Sequence, residues 1–366
     1  MGRRLRGPPS LRARRAARAR GAAVRARLAL LALVSLSAAC GDPAPADPRQ
    51  AALAAVKSAL TADLASLVAS ARALQAAAPA PDADGWSAAR DPGSVDALRS
   101  RWRETRAAYE RIEGAIAVLF PTLDYSADER YDGQLAELPS RRDDDLFDGL
   151  GVTGMHAIER ILWADSHPAR VVQFERALPG YVPAAFPATA QQAAAFRDGL
   201  CARLLRDVEQ MQREFAPVAL DPSAAFRGVV GSMEEQAEKV EKAASAEEES
   251  RYARATLFDM RSNLEGARSA WTAFRPWVLS RGDAALAGAI DARFSAVASR
   301  YAAIPGDAIP PVPEGWNPDA PTEEHLRSDF GQLRAFVLAE SDPAHQGGLV
   351  HQMNRAADLL DIPRLP

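Results

Sequence analysis

An all-α fold of two antiparallel helical bundles is predicted for this 366-residue chain, and three observations predict it. Beyond residue 48, Ala, Leu, Arg and Glu dominate long windows in which apolar residues recur every three or four positions, as in helices with one buried face. No window keeps the alternation of a half-buried strand. Proline- and glycine-rich gaps separate the windows at helix-length intervals.

The leader comes first. Residues 1–39 hold ten arginines and no acidic residue, and 28–39 (LALLALVSLSAA) is an apolar run of signal-peptide rather than membrane-spanning length. It ends in Ser37-Ala38-Ala39-Cys40, small residues leading into a cysteine, which resembles the lipobox at which bacterial lipoproteins are cleaved and lipidated. Cys40 is therefore the expected lipid anchor, residues 1–39 the removed signal, and 40–48 a Pro-rich tether between a membrane and a folded body outside the cytoplasm. Without the ten leader arginines, 34 basic residues face 48 acidic ones, a net charge of about −14. A chain that acidic offers phosphate no basic face, which excludes nucleic acid as a partner and favours a cationic ligand. Two cysteines exclude a disulfide scaffold or a Cys-cluster zinc site. Cys201 shares an apolar stripe with Leu200, Leu204 and Leu205 and reads as a buried structural thiol.

Helices are expected at about 49–77, 94–119, 153–164, 187–215, 222–245, 248–280, 283–303, 322–341 and 344–360. The first is closed by APAPDADG and the second by FPTLD, while LPGYVPAAFP precedes the fourth. PGDAIPPVPEGWNP ends 283–303, and SDPAHQGG marks the junction of the last two. The break at Asp221 divides the helices nearly evenly, giving an N-terminal bundle over 49–221 and a C-terminal bundle over 222–366. In the second half Trp271, Phe274 and Trp277 recur at helical spacing and read as core. The run from Glu234 to Lys242 reads as a solvated, salt-bridged helix face. Ile112-Glu113-Gly114-Ala115 is faintly echoed by Leu264-Glu265-Gly266-Ala267, which leaves duplication open.

Chemistry concentrates in Thr153-Gly154-Met155-His156-Ala157-Ile158-Glu159. On a helix His156 and Glu159 leave one face together, and imidazole nitrogen with carboxylate oxygen suits Fe, Zn, Mn or Cu better than Ca or Mg. Taken alone, the pair fits a surface His beside a surface Glu better than a metal site. Glu110 and Glu113 repeat the spacing upstream, with Glu113 beside the apolar Ile112, Ala115 and Ile116, where an unpaired carboxylate is costly. The segment FPTLDYSADERYDG adds Asp124, Asp128, Glu129 and Asp132, read as an acidic turn able to fold ligands back over the helix.

Four ordered blocks carry a resemblance. Tyr109-Glu110-x-Ile112-Glu113, then Phe120-Pro121-x-Leu123-Asp124 with Asp128 and Arg130, then Thr153-Gly154-x-His156-x-x-Glu159-x-x-Leu162-Trp163, then Glu249-Ser250-Arg251-Tyr252 leading to Thr256-Leu257-x-Asp259-x-x-x-Asn263-x-Glu265-Gly266-Ala267 resemble the imelysin-like family of EfeO- and EfeM-type bacterial iron-uptake components. In the last block Met260-Arg261 departs from the family's apolar and aromatic pair. The resemblance implies an exported, all-helical protein in which His156 and Glu159 ligate metal, with Glu113, Asp128 and Glu110 as further candidate ligands. The implied cargo is a transition-metal ion, iron first, with zinc or copper as alternatives. The implied partners are a membrane reached through the anchor, an iron permease and a haem peroxidase of the same system. Longer members carry an N-terminal cupredoxin-like domain, for which 40–48 leaves no room. An imelysin-type metallopeptidase is the first alternative, although zinc peptidases typically pair two His at i, i+4 and this helix has one. A di-iron oxidase would need two Glu-x-x-His motifs, and a structural envelope protein would bind no metal. His167, His325, His345 and His351 are scattered near helix ends or loops. Metal affinity is expected to climb between pH 5 and 7 as His156 loses its proton.

Overall fold

The computed structural model describes residues 47–363 other than residue 246; the expected leader, Cys40 and most of the tether lie outside them. The described residues are helical and include no strand. Helix α1, Pro48–Ala77, is long and apolar enough to cross a membrane, but its Val56, Leu60, Leu64, Leu67 and Leu74 are buried at helical spacing inside the folded body. It packs on α2, Pro92–Glu110, which buries Val95, Leu98, Trp102 and Tyr109 on one stripe.

The expected single helix over 94–119 is broken. After Glu110 a tighter turn at Arg111–Ile112 leads into the short α3, Glu113–Ile116. The carbonyl of Arg111 lies so close to Gly266 that any Cβ there would collide with it, so the second-half echo segment seats directly against the first. The expected acidic turn is also helical, forming α4, Pro121–Asp128, and α5, Tyr131–Glu137. Proline at the first position of α4 starts it, because a missing N–H costs nothing there.

Next come α6, Gly154–Leu162, and α7, Ala169–Arg176, the latter unforeseen in the Pro-rich gap. The fourth expected helix starts at Thr189, whose side chain accepts a hydrogen bond from the Gln192 amide. It runs through α8, Ala190–Ala195, a π-helical turn at Phe196–Cys201, and α9, Ala202–Phe215. Cys201 is buried as expected.

Asp221 caps α10, Pro222–Ala243, accepting from the Ala224 amide. Residues 248–255 do not join the following helix; α11 begins later and spans Thr256–Ser280. Trp271, Phe274 and Trp277 are core residues on it. The chain closes with α12, Ala284–Ala302, α13, Glu323–Arg327, α14, Asp329–Ser341, and α15, Leu349–Leu359. Helix α1 packs on α2 and α9 from one side of Asp221 and on α11 from the other, while α10 packs on α3. Helices from both halves thus share one core, and the turn at Arg111–Ile112 lies where they meet.

Candidate metal centre

Every residue of α6 is buried, which excludes the surface reading of its His and Glu. Its start is locked in place. Gly154 has φ of +83°, the left-handed region that glycine tolerates, and a Cβ there would collide with the carbonyl of Ala127 in α4. Gln134 clamps the same corner, accepting from the Thr153 amide at 2.7 Å and donating to the Thr153 carbonyl at 3.0 Å. Asp128, at the end of α4, is thereby held against the first turn of α6.

Ligand-type atoms of Asp128, His156 and Glu249 lie within 4.8 Å of one another, and all three side chains are buried. His156 Nε2 is 3.2 Å from Glu249 Oε1 and 3.5 Å from Asp128 Oδ1. Glu159 stands behind the ring. Its Oε2 is 2.9 Å from His156 Nδ1, and its Oε1 accepts from the amides of Tyr252 and Ala253 at 2.9 and 2.7 Å. Those amides explain why 248–255 is not helical: they are committed to a carboxylate on α6. Burial opposes charge on His156, but the hydrogen bonds to Glu159 and Glu249 outweigh it and raise its pKa to about 9. The expected proton loss between pH 5 and 7 is thus displaced upward, because Nε2 faces carboxylates that favour a proton.

Two buried cations hold the remaining carboxylates. Arg106 on α2 pairs with Glu110 and Asp128, and lies 3.2 Å from Glu249 and 3.5 Å from Asp259. Lys239 on α10 donates to both oxygens of Glu113 at 3.0 and 3.1 Å and is 3.4 Å from Glu110. Asn263 donates to Glu113 at 2.9 Å. Burial outweighs Arg106 at both Glu110 and Asp128 and pushes their pKa values well up. At Glu113 and Glu249 burial is overcome, chiefly by Lys239, and both are held below the usual range. Lys239 corrects the reading of 234–242 as a solvated face: it is 1% exposed, although Glu234 and Glu238 on the same helix are exposed.

Asp128 and Glu249 also line a cleft of about 270 Å³, together with Glu113, Asp124, Glu129, Glu235 and Glu238, with Arg130 the one basic residue among them. Burial, then the Glu249 charge, raises Asp124 to about 6. Burial, then the Glu113 charge, raises Glu235 to about 8. Like charges confined together resist ionisation until a cation joins them.

Of the predicted residues, His156 and Asp128 meet at this point, Glu159 braces the imidazole from behind, and Glu110 and Glu113 face Arg106 and Lys239. Sequence reasoning missed Glu249 and Arg106. Glu249 opens the fourth block quoted above, so the signal was present as order along the chain. No helical spacing links it to His156, which is 93 positions away.

The family model described as imelysin (peptidase M75) matches residues 50–334. The iron uptake system component EfeO of Yersinia pseudotuberculosis serotype I (strain IP32953) is 30% identical over 269 residues, covering 72% of this chain and 58% of that protein. The iron uptake system component EfeM of Pseudomonas syringae pv. syringae (strain B728a) is 26% identical over 206 residues, covering 56% of this chain and 58% of its own. This chain therefore spans under two thirds of the length of these relatives. A solved imelysin-like protein from Psychrobacter arcticum 273-4 aligns over 85% of this chain and 96% of its own, with a TM-score of 0.49 and 14% identity. With a family model matched over 50–334 of its 366 residues, the chain belongs to the imelysin family.

Proposed function

We propose that this protein captures a transition-metal ion, iron foremost, with Asp128, His156 and Glu249 as ligands and Glu159 as the brace that presents His156 Nε2. The observation that carries this reading is a buried set of one imidazole and two carboxylates, the carboxylates also lining an acidic cleft. One nitrogen and several oxygens suit a first-row transition ion. A carboxylate on the far ring nitrogen is the usual support for a metal-binding histidine, since it fixes the tautomer and raises ligand basicity. The relatives named as iron uptake components favour iron as cargo, and the proposal adds delivery to a permease and service by a haem peroxidase of the same system. Export and anchorage through a lipid on Cys40 complete the proposal.

Calorimetric titration of the protein with Fe²⁺ under anaerobic conditions, and with Zn²⁺, tests it. His156→Ala and Glu249→Ala should each weaken binding at least tenfold, about 1.4 kcal/mol, while His345→Ala changes nothing. Wild-type affinity in the first two variants would sink the metal-site reading.

A further inference from the structure

Arg106 is completely buried and touches more carboxylates than any function assigned so far requires. Its Nη1 pairs with Asp128 Oδ1, and its Nη2 donates to Glu249 Oε1 at 3.2 Å. These are the same two oxygens that face His156 Nε2, at 3.5 and 3.2 Å. The guanidinium fork therefore occupies the ligand oxygens that a metal would need. It has two further carboxylate partners, Glu110 and Asp259. Glu110 pairs with Nη2, yet neither Glu110 oxygen accepts an aligned hydrogen bond; Asp259 Oδ2 is 3.5 Å from Nε, and Asp259 Oδ1 is likewise unsatisfied. The Asp259 Oδ1 acceptor at zero exposure is costly to leave unmet, and with Glu110 it gives the guanidinium somewhere to go.

We infer that Arg106 is the built-in counter-ion of the empty site, a positioning residue that trades places with the metal: it clamps Asp128 and Glu249 when the site is vacant and withdraws onto Glu110 and Asp259 when an ion arrives. At the two ligand oxygens, binding becomes an exchange of one cation for another. Two buried carboxylates abandoned by a departing ion would be strongly destabilising, so the exchange makes release tolerable and the capture reversible. A tight pair with Arg106 necessarily subtracts from metal affinity, since each ligand oxygen freed must first lose a charge-assisted hydrogen bond.

The inference rests on the metal-site reading, and the experiment separates the two. Zn²⁺ titration by calorimetry is run on the wild-type full chain and on Arg106→Lys, Asp259→Asn and His156→Ala, with thermal unfolding of each metal-free protein. Arg106→Lys keeps the charge but loses the fork, so a compact ammonium cannot hold both ligand oxygens. It should bind Zn²⁺ at least threefold more tightly than wild type, and its metal-free form should melt lower. Asp259→Asn removes one place of withdrawal without touching a ligand, and should weaken Zn²⁺ binding about threefold. A merely structural Arg106 would give lower melting together with weaker binding in the lysine variant. Unchanged or weaker binding in Arg106→Lys overturns the inference, and so does unchanged or tighter binding in Asp259→Asn, which decides the matter if the lysine variant does not fold. Failure of the metal-site reading looks different: wild type and His156→Ala would then bind Zn²⁺ alike.

Discussion

At His156 the two ring nitrogens face different charges. Nδ1 points at Glu159, whose other oxygen is held by two backbone amides, and Nε2 points at Asp128 and Glu249. A neutral imidazole donating through Nδ1 would aim its lone pair at carboxylates, so the empty site favours a proton on Nε2, which accounts for a pKa of about 9. Metal must displace that proton. Apparent Zn²⁺ affinity should therefore keep rising between pH 6 and 8, approaching tenfold per unit from His156 alone, roughly 1.4 kcal/mol, as measured by calorimetry at several pH values. A plateau above pH 7 would contradict this. The sign for the metal-free protein is opposite. A histidine whose folded pKa lies above its unfolded value contributes stability fully present below the unfolded value near 6.5 and lost as pH rises through about 9. The melting-temperature gain from added metal should thus widen with pH. His156, Glu159 and Asp128 were legible because one helix, and one acidic segment preceding it, carried them. Arg106 was not, because an arginine in a charged helix looks solvated until its neighbours are known.

Among the elements, the site depends on two irregularities that no composition marks. The turn at Arg111–Ile112 contains neither glycine nor proline, so the sequence offered no reason to end a helix there; the reason is the passage of Gly266 against the Arg111 carbonyl. Likewise 248–255 carries helical propensity, but Glu159 claims the amides of Tyr252 and Ala253. Tertiary contacts overrode local preference in both places. The Thr153–Gly154 corner was readable as a motif, though not for its geometry. Gly154→Ala should destabilise the protein by about 1 to 3 kcal/mol and weaken Zn²⁺ binding, because the shift that relieves the collision separates α4 from α6 and hence Asp128 from His156. Gly282→Ala is the control: it also has positive φ, at +89°, but nothing lies within 4 Å of its added Cβ. Equal Zn²⁺ affinity in the two variants would refute the positional role of Gly154.

Across the whole molecule, the helical class was legible from periodicity, whereas the interleaving of the halves was not. Helix α1 is flanked by α2, α9 and α11, so its buried leucines serve helices on both sides of Asp221. Hydrophobic stripes report that a face is covered without saying by what. The same holds for the centre, where Asp128 and His156 come from before Asp221 and Glu249 from after it. An ion there ties together segments 93 residues apart in the chain, and its binding energy adds to the stability of the complete fold rather than of one helix pair.

The acidic cleft bears on the form in which metal would approach the proposed site. Lined by seven carboxylate side chains and one arginine, it draws a bare or hydrated cation inward and raises the local cation concentration at its mouth. That attraction fades with salt, so the Zn²⁺ association rate in stopped flow should fall several-fold between ionic strengths of about 0.01 and 0.15 M; a rate indifferent to salt would mean that the cleft does not steer. A metal carried as an anionic chelate meets the same field reversed. Ferric iron wrapped in excess citrate would be repelled at the mouth and would have to shed its ligands in bulk solvent first. Such chelators would then act as rivals that hold the ion outside, and the proposed capture would draw from the uncomplexed pool.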